Sequence, residues 1–323
     1  MQQVPLGNTG LTVSELGFGA IPIIHLTADE AQRVLRRAFD RGITHFDLAN
    51  NYGPPYGSAE ETFGRILARD LAPYRDELVI SSKAGWDMWP GPYGQGGGGR
   101  KYVLASLDQS LQRLGVECLD LYLLHRRDYP LGQAAELMEV LEGLVRAGKV
   151  RYLGASSCFA WQFATALHLA DAMGCHRFVC MQPHYNLVYR EEEREMIPLC
   201  LDQGVGLIPW SPMARGFFAK KRSEEGDTAR SKSDPFAKQL YYRDEDYTVS
   251  ERASEIAQPR GVSGSQIALA WVLNKQHIAS PIIGATKMDH LEQAIAALDI
   301  KLSEDEVKRL EEPYKPHPIL GHS

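Results

Sequence analysis

Four residues in the sequence carry side chains that can donate, hold or tune a proton. Asp47 stands where an apolar run, residues 43–48, should end as a strand, and Tyr52 follows in a Gly/Pro-rich loop. Lys83 and His125 each stand at the end of a later apolar run. A carboxylate, a phenol, an amine and an imidazole together suit acid–base chemistry. We therefore interpret these four residues as one candidate proton-handling site.

Each of these residues also has a purely structural explanation. Asp47 could cap a turn, Lys83 could be solvated, and a lone histidine such as His125 is more often a hydrogen-bonded core residue. Tyr52 and Trp210 could simply pack. Taken singly, all but Asp47 favour the structural explanation. Because polar groups stand at several strand ends at once, the joint pattern favours a site.

The chemistry that this set suits is the reversible reduction of a carbonyl. Hydride addition places negative charge on the carbonyl oxygen, which then needs a proton donor. A free phenol is too weak an acid near neutral pH, but an adjacent ammonium favours the phenolate. We predict Tyr52 as the acid and Lys83 as its tuner. Asp47 would hold the lysine, and His125 would be a second donor to the carbonyl.

Composition narrows the class of protein. The 323 residues are 44% hydrophobic, and 35 Lys+Arg against 41 Asp+Glu give a net charge of −6, which argues against a nucleic-acid partner. No apolar run has the length of a membrane span, and the first residues lack a signal-peptide pattern. Five cysteines without a C-x-x-C pair predict reduced thiols, no metal site and a cytoplasmic location.

The order of elements predicts a β-hairpin followed by eight strand–helix units. The hairpin spans residues 4–13, and glycines end five of the helices, at 42, 115, 148, 174 and 204. Capping boxes are predicted at Thr27/Glu30, Ser58/Glu61 and Ser303/Glu306. The predicted strands are residues 16–19, 43–48, 78–83, 119–125, 150–156, 178–182, 205–210 and 282–284.

Eight such units predict a (β/α)8 TIM barrel, completed by closing helices at residues 289–297 and 303–312. The alternative is an open doubly wound sheet, which would place G-x-G-x-x-G after its first strand. Residues 17–22 read Gly-Phe-Gly-Ala-Ile-Pro and do not complete that motif. We expect residues 1–323 to form a single domain, in which Arg222–Tyr247 is a long loop.

Hydride has to come from a cofactor, because no side chain supplies one. Trp210 offers an aromatic face for a nicotinamide, and Ser156 and Gln182 offer hydrogen bonds to its carboxamide. Residues 284–287, before a predicted helix, offer backbone donors, a hydroxyl and a positive charge for a phosphate. An ordinary loop with a surface lysine explains that last segment equally well.

Five short motifs contain the residues singled out above. They are Phe46-Asp47, Asn51-Tyr52-Gly53, Ser82-Lys83, Leu124-His125 and Trp210-Ser211-Pro212. Through these motifs, from Leu6 to Thr286, the chain resembles the aldo-keto reductase family. The resemblance implies that NADPH lies extended across the barrel mouth and that Asp47, Tyr52, Lys83 and His125 form a catalytic tetrad.

The resemblance also implies three sets of cofactor contacts. Those to the nicotinamide are Ser156, Ser157, Gln182 and Trp210. Those to the pyrophosphate are Ser211, Pro212, Met213, Ala214 and Lys221. Those to the adenosine end are Gly284, Thr286, His290 and Gln293.

Within the family, residues 35–67 and 86–94 resemble the bacterial L-glyceraldehyde 3-phosphate reductases, which are relatives of the potassium-channel β subunits. Two departures bear on the cofactor. His290 replaces a common glutamine or arginine, and Ala294 replaces a common asparagine. NADH therefore remains an alternative to NADPH, and Lys287 is the remaining charge for a 2′-phosphate.

The loop of residues 86–99 bears on the substrate. Trp86 and Trp89 predict a lid over a small carbonyl compound, and an ordinary surface loop is the alternative. Arg100, Lys101, Arg126 and Arg127 suggest a phosphorylated or acidic substrate, although each could instead pair with a surface carboxylate. We take Trp86, Trp89 and Arg126 as substrate contacts.

Two functions follow from these observations. The first is an NADPH-dependent reductase of small aldehydes, with L-glyceraldehyde 3-phosphate and methylglyoxal as candidate substrates. The second is a nucleotide-sensing regulatory protein with little turnover, like the channel β subunits. The complete tetrad favours the enzyme. The sequence leaves open whether the chain forms a homo-oligomer.

Overall fold

A computed structural model describes residues 1–94, 96, 99–125, 133–219 and 235–321 of the 323-residue chain. In this part of the chain, a two-stranded antiparallel sheet precedes an eight-stranded parallel sheet. The hairpin strands are β1 (Gln3–Pro5) and β2 (Thr12–Ser14). The parallel strands are β3 (Gly17–Gly19), β4 (His45–Asp47), β5 (Val79–Ala84), β6 (Leu119–His125), β7 (Val150–Ser156), β8 (Phe178–Gln182), β9 (Gly206–Leu207) and β10 (Ile282–Ile283).

The parallel sheet closes into a barrel. Its strand order is β10-β3-β4-β5-β6-β7-β8-β9, so each strand from β3 to β9 lies beside the next along the chain. The chain segments around the two outer strands meet through isolated parallel bridges, from Leu207 of β9 to Ile278 and from Trp210 to Ile282 of β10. The predicted (β/α)8 barrel with its N-terminal hairpin is therefore confirmed.

Helices cover the outside of the barrel. Glycines in the left-handed conformation end three of them, at Gly115, Gly174 and Gly204, as the sequence predicts. The α-helices of the described residues are α1 (Ala28–Asp40), α2 (Ser58–Ile66), α3 (Arg100–Leu114), α4 (Ala134–Arg146), α5 (Ala160–Met173), α6 (Met196–Gln203), α7 (Pro235–Leu240), α8 (Asp244–Ala257), α9 (Gly264–Leu273), α10 (Met288–Ala296) and α11 (Glu304–Glu311).

Two of the three predicted capping boxes form. Thr27 caps α1 with Glu30, and Ser303 caps α11 with Glu306. The third prediction, at Ser58, is wrong. Gly57 takes the N-cap position with φ of +90°, so Ser58 is already inside the helix and its hydroxyl has no hydrogen-bond partner among the described residues.

The predicted long loop Arg222–Tyr247 is also wrong in its second half. Residues 220–234 lie outside the described part, but α7 occupies residues 235–240 and the start of α8 occupies residues 244–247. Three acidic residues in the first turn of α8 make the segment look like a polar loop, although they favour a helix N-terminus. One face of α8 is buried through Tyr247, Val249 and Ala253.

The hydrophobic core consists of two clusters of buried residues, one between the barrel and its helices and one inside the barrel. The larger cluster fills the space between strands and helices, from Leu16 to Leu310. A smaller cluster lies inside the barrel, where Leu6 and Val13 of the hairpin region join Leu121 and other inward-facing residues. Within the described residues, no helix combines the length and apolar character needed to cross a membrane.

Candidate active site

Three of the four predicted proton-handling residues are joined by direct hydrogen bonds at the barrel mouth. The amine of Lys83 donates to Asp47 Oδ2 at 2.6 Å and to the Leu48 carbonyl at 2.6 Å. The distance from Lys83 Nζ to Tyr52 Oη is 3.2 Å. The side chains of Lys83 and Asp47 are 0% and 3% exposed. The amine therefore links a buried carboxylate to a phenol that reaches the mouth.

The pairing of β4 with β5 explains why these side chains meet. Asp47 and Lys83 lie near the C-terminal ends of neighbouring parallel strands, and the pairing continues past β4. The Leu48 amide donates to the Ser81 carbonyl at 2.9 Å, and the Asn50 amide donates to the Lys83 carbonyl at 3.0 Å. The chain is thus held beside Lys83 until it turns at Tyr52.

The charge of Lys83 is stabilised in spite of its burial. Burial alone works against an ammonium. The Asp47 carboxylate and the Tyr52 oxygen outweigh this effect and hold the pKa of Lys83 above its ordinary value. The site therefore keeps a fixed positive charge next to the phenol oxygen, where it stabilises a phenolate.

The second oxygen of Asp47 is held by two residues that the sequence reasoning missed. The Ser81 hydroxyl donates to Asp47 Oδ1 at 2.8 Å, and His45 Nε2 lies 3.1 Å from Ser81 Oγ. Because a carboxylate only accepts, the Ser81 proton points to Asp47, and His45 must carry its proton on Nε2. Burial lowers the pKa of His45 to about 4, an effect that Asp47 opposes and Lys83 reinforces, so the imidazole is neutral at pH 7.

A signal for both residues was present in the sequence. Successive side chains of a strand point to opposite faces, so residues two apart share a face. His45 and Asp47 are two apart on β4, and Ser81 and Lys83 are two apart on β5. Reading back two residues from each predicted site residue would have found this polar layer.

His125 lies on the other side of the phenol. It ends β6, and its ring centroid is 6.0 Å from that of Tyr52 with the planes at 82°. The ring of Trp86 packs against His125 at the same centroid distance of 6.0 Å, with the planes at 72°. The structure thus brings all four predicted catalytic residues to one place, with Trp86 beside them.

Tyr102 of α3 fixes the start of the loop that carries the two tryptophans. Its hydroxyl donates to the Trp86 carbonyl at 2.5 Å and accepts from the Gly85 amide at 3.1 Å. Its ring stacks on Trp89 at 5.7 Å between centroids. A Cβ on Gly85 would lie 2.3 Å from the His125 carbonyl oxygen, so only glycine fits there. Sequence reasoning missed Tyr102, which carries no motif signal.

The positive charges near the predicted lid have protein partners. Arg100 lies 3.0 Å from Glu139 and 3.5 Å from Glu136, both on α4, and Lys101 lies over the Tyr93 ring. These contacts match the carboxylate-pairing alternative for Arg100. Arg126 and Arg127 lie outside the described residues, so the substrate contact predicted for Arg126 has no structural account.

The predicted nicotinamide residues cluster on the far side of the mouth. His125, Ser156 and Gln182 are neighbours in register across β6, β7 and β8. Trp210 donates from its indole nitrogen to Ser157 Oγ at 2.8 Å, and Ser156 Oγ donates to the Gln182 carbonyl at 3.0 Å.

Gln182 provides a test of fit for a carboxamide ligand. Its side chain is buried, and its Nε2 donor has no hydrogen-bond partner among the described residues. A buried polar group without a partner is costly, and an acceptor oxygen of a ligand would satisfy it. The donor set at this position therefore fits a nicotinamide carboxamide.

Backbone strain collects at the same place. Five non-glycine residues of the described chain have positive φ, and four of them flank this region. They are Ser157 (52°), Ser211 (54°), Ala214 (47°) and Arg215 (54°). Strained backbone of this kind clusters at functional sites. Pro212 and Met213 lie within the strained segment, and Lys221 is outside the described residues.

The residues predicted for the adenosine end lie in one exposed segment. Lys287, His290 and Gln293 are exposed, and Gly284 and Thr286 are half-buried between β10 and α10. Lys287 occupies the N-cap position of α10. A helix N-terminus favours an anion, and so does this lysine.

No cluster of three or more His, Cys, Asp or Glu side chains suited to a metal ion occurs in the described ranges. The barrel mouth has two sides, one at Tyr52 and His125 and the other at Trp210. Proton donors line the first side, and hydrogen-bond donors and an indole line the second.

Comparison with known proteins identifies the family. The aldo/keto reductase family model matches residues 15–315. An L-glyceraldehyde 3-phosphate reductase of Escherichia coli is 40% identical over 314 residues, covering 93% of this chain and 88% of that protein. An aldo-keto reductase of Fusarium vanettenii is 39% identical, with 98% and 92% coverage. The versiconal hemiacetal acetate reductase of Aspergillus parasiticus is 35% identical, with 99% and 98% coverage.

The match extends across the barrel and includes both sides of the site described above. The chain therefore belongs to the aldo/keto reductase family and is an oxidoreductase that acts on carbonyl groups.

Proposed function

We propose that this protein reduces small aldehydes and ketones to alcohols with NADPH, and that Tyr52 is the proton donor. The observation that carries the proposal is the buried Lys83 ammonium, 2.6 Å from Asp47 Oδ2 and 3.2 Å from Tyr52 Oη. A bound nicotinamide supplies the hydride. The residues of the chain have to hold the carbonyl, give it a proton and stabilise the charge left behind.

Tyr52 and Lys83 share the proton step. As hydride reaches the carbonyl carbon, the Tyr52 hydroxyl transfers its proton to the carbonyl oxygen, which leaves a phenolate. The Lys83 ammonium stabilises that phenolate, and Asp47 keeps the ammonium in place. His125, at the edge of the Tyr52 ring, would orient the carbonyl oxygen and stabilise its developing charge.

The cofactor would lie between Gln182 and α10. The Gln182 donor and the hydroxyls of Ser156 and Ser157 would bind the carboxamide, and Trp210 would stack on the ring. Residues 211–214, with Lys221, would bind the pyrophosphate. Gly284, Thr286, His290 and Gln293 would bind the adenosine end, with Lys287 favouring the 2′-phosphate of NADPH over NADH.

The proposed substrate is based on the name of one relative and on the residues predicted at the barrel mouth. The name of the Escherichia coli relative specifies L-glyceraldehyde 3-phosphate. A small carbonyl compound of that kind, or methylglyoxal, would lie against Trp86 and Trp89. Arg126 would meet a phosphate if the substrate carries one.

The test is the variant Tyr52→Phe. It keeps the ring and removes the proton donor, so we expect kcat to fall by at least about a hundredfold. The dissociation constant for NADPH should not change. Turnover is followed by NADPH absorbance with a panel of aldehydes, and binding is measured by calorimetry.

Tyr56 provides the matched control, because it lies in the same loop and is 55% exposed. Tyr56→Phe should retain full activity. A near-normal rate in Tyr52→Phe would overturn the assignment. Very slow turnover of every aldehyde by the unaltered protein would favour the nucleotide-sensing alternative.

We also propose one domain and a cytoplasmic location. The single-domain proposal is supported by one buried cluster that runs from Leu16 to Leu310. The location is supported by five cysteines that all carry free thiols.

A further inference from the structure

The Trp210 indole is the first member of a stack of three aromatic rings. His184 packs against Trp210 with centroids 4.1 Å apart and planes at 10°. Tyr189 packs against His184, also at 4.1 Å, with planes at 13°. Two rings cannot share one face of an imidazole at this distance, so Trp210 and Tyr189 lie on opposite faces of His184.

Hydrogen bonds hold this ring stack (Trp210, His184 and Tyr189) from the side. His184 Nε2 lies 2.7 Å from the Tyr241 hydroxyl. The side-chain nitrogen of Asn186, Nδ2, donates to the same hydroxyl at 3.1 Å and to the Ser211 carbonyl at 3.0 Å. His184, Tyr189 and Asn186 are 0% exposed. The middle ring therefore has little freedom to tilt or slide.

The far end of the stack is held by residues 314–320, which we call the C-terminal tail. The Tyr189 hydroxyl accepts from the Leu320 amide at 3.0 Å and donates to the Leu320 carbonyl at 3.3 Å. The His317 ring packs edge-on against Tyr189, at 5.9 Å and 63°. The last ring of the stack is thus fixed by the tail.

The tail is itself anchored to buried carboxylates. His317 Nε2 lies 2.8 Å from Asp246 Oδ1, and both side chains are almost fully buried. The His317 amide donates to Glu191 Oε1 at 2.9 Å, and the Tyr314 hydroxyl donates to the same oxygen at 2.6 Å. The two bonds to Glu191 tie the tail to the segment between β8 and α6 that carries His184 and Tyr189, and the contact with Asp246 ties it to α8.

A close-packed stack transmits position because a shift of one ring opens a gap beneath the next. We propose that the C-terminal tail, acting through Tyr189 and His184, sets the plane of the Trp210 indole against which the nicotinamide packs. His184 and Tyr189 are positioning residues, since their ring contacts join Trp210 to the tail, while Tyr241 and Asn186 hold His184 from the side. This inference rests on the nicotinamide role proposed for Trp210.

The test compares two probes, NADP⁺ and 2′-phospho-ADP-ribose, which lacks the nicotinamide. Calorimetry on the full chain gives the dissociation constant of each. His184→Ala should weaken NADP⁺ binding by about tenfold, because the indole loses its backing, and should leave 2′-phospho-ADP-ribose binding unchanged. Tyr189→Phe, which keeps the ring but removes both bonds to Leu320, should give a smaller loss of the same kind.

Tyr185→Phe is the matched control. Tyr185 is equally buried and donates to Glu193 at 2.6 Å, but it lies outside the stack. Removing the Tyr185 hydroxyl should change neither the dissociation constant for NADP⁺ nor that for 2′-phospho-ADP-ribose. Calorimetric stoichiometry separates weaker binding from a loss of folded protein, and hydrogen exchange should show slower exchange of the tail amides when NADP⁺ is bound.

The outcomes separate the inference from the function on which it rests. If Trp210→Ala leaves NADP⁺ affinity unchanged, the nicotinamide role of Trp210 is wrong. If Trp210→Ala weakens NADP⁺ alone while His184→Ala does not, that role stands and the positioning inference is overturned. Equal losses for both probes in His184→Ala would also overturn it.

Discussion

The predicted proton-handling cluster around Lys83 and residues 284–293, the segment proposed to bind the adenosine end of the cofactor, were both predicted from residue types, but the two differ in burial and in hydrogen bonding. Lys83 has no exposed side-chain surface and hydrogen bonds to three oxygens. Lys287 is exposed, and its side chain makes no hydrogen bond or ion pair to the described residues.

The difference shows why buried polar residues are more informative than exposed ones. Burying an ammonium is costly unless its partners are arranged around it, so the sequence around Lys83 has to supply those partners. An exposed lysine is hydrated and needs no partner. The exposed position of Lys287 therefore does not by itself indicate which ligand group this side chain binds.

The largest effect should come from breaking the buried pair. Lys83→Met leaves the Asp47 carboxylate buried without its counter-charge, and we expect a loss of about 3 kcal/mol or more of unfolding free energy as well as loss of activity. Urea titration followed by circular dichroism measures the first, and NADPH turnover measures the second.

Lys149→Met is the control for that variant. Lys149 pairs with Asp108 at 2.7 Å, but the two side chains are 44% and 51% exposed. Removing such a pair should cost at most about 1 kcal/mol. Similar losses in the two variants would remove the distinction between the buried and exposed sites.

A smaller effect should appear as a dependence of stability on pH. The pKa of His45 is about 4 in the folded protein, against 6.5 for an unperturbed histidine. Between these values the unfolded chain binds more protons, so His45 makes stability fall as the pH falls from about 6.5 towards 4. In His45→Gln this contribution should disappear. The slope of the unfolding free energy against pH should then be smaller by up to about 1.4 kcal/mol per pH unit.

Urea titrations of both proteins at several pH values between 4.5 and 7 would measure the slopes. If His45→Gln keeps the slope of the unaltered protein, the imidazole is not held neutral by burial.

The smallest effect should come from the exposed lysine. Lys287→Ala should weaken NADPH binding by about fivefold and leave NADH binding unchanged, because only NADPH carries the 2′-phosphate. Fluorescence titration with both nucleotides measures this selectivity. Lys301→Ala, an exposed lysine elsewhere, should affect neither, and an equal loss for NADH in Lys287→Ala would contradict the role.

The barrel could be predicted because its signals are local and repeated. Apolar runs ending in polar residues, and glycines such as Gly115 and Gly174, recur along the chain. The strands predicted at 119–125, 150–156 and 178–182 have the observed bounds, whereas the one predicted at 205–210 is shorter in the structure, Gly206–Leu207. The errors arose where residue type and position disagreed. Ser58 has the right type for a cap, but Gly57 occupies the position, and the acidic start of α8 hides a helix with a buried face.

The candidate site could be predicted where it falls at strand ends and not where it depends on packing. Asp47 and Lys83 stand at strand ends that the sequence marks. His45 and Ser81 could be predicted only from the alternation of strand faces, because each lies two residues before a predicted site residue on the same face of its strand. His184 had no signal, because its place between two rings follows from a long-range fold that brings Trp210 and the tail together.

The closure of the barrel has a consequence for the protein without its cofactor. Between β9 and β10 the wall is joined by isolated bridges and a few backbone hydrogen bonds, such as that from the Ile282 amide to the Pro209 carbonyl at 2.8 Å. Trp210 follows β9 and Gly284 follows β10, so the two residues lie on opposite sides of this junction. A nucleotide that contacts both residues would connect the two sides, so its binding energy would also oppose local separation of β9 from β10.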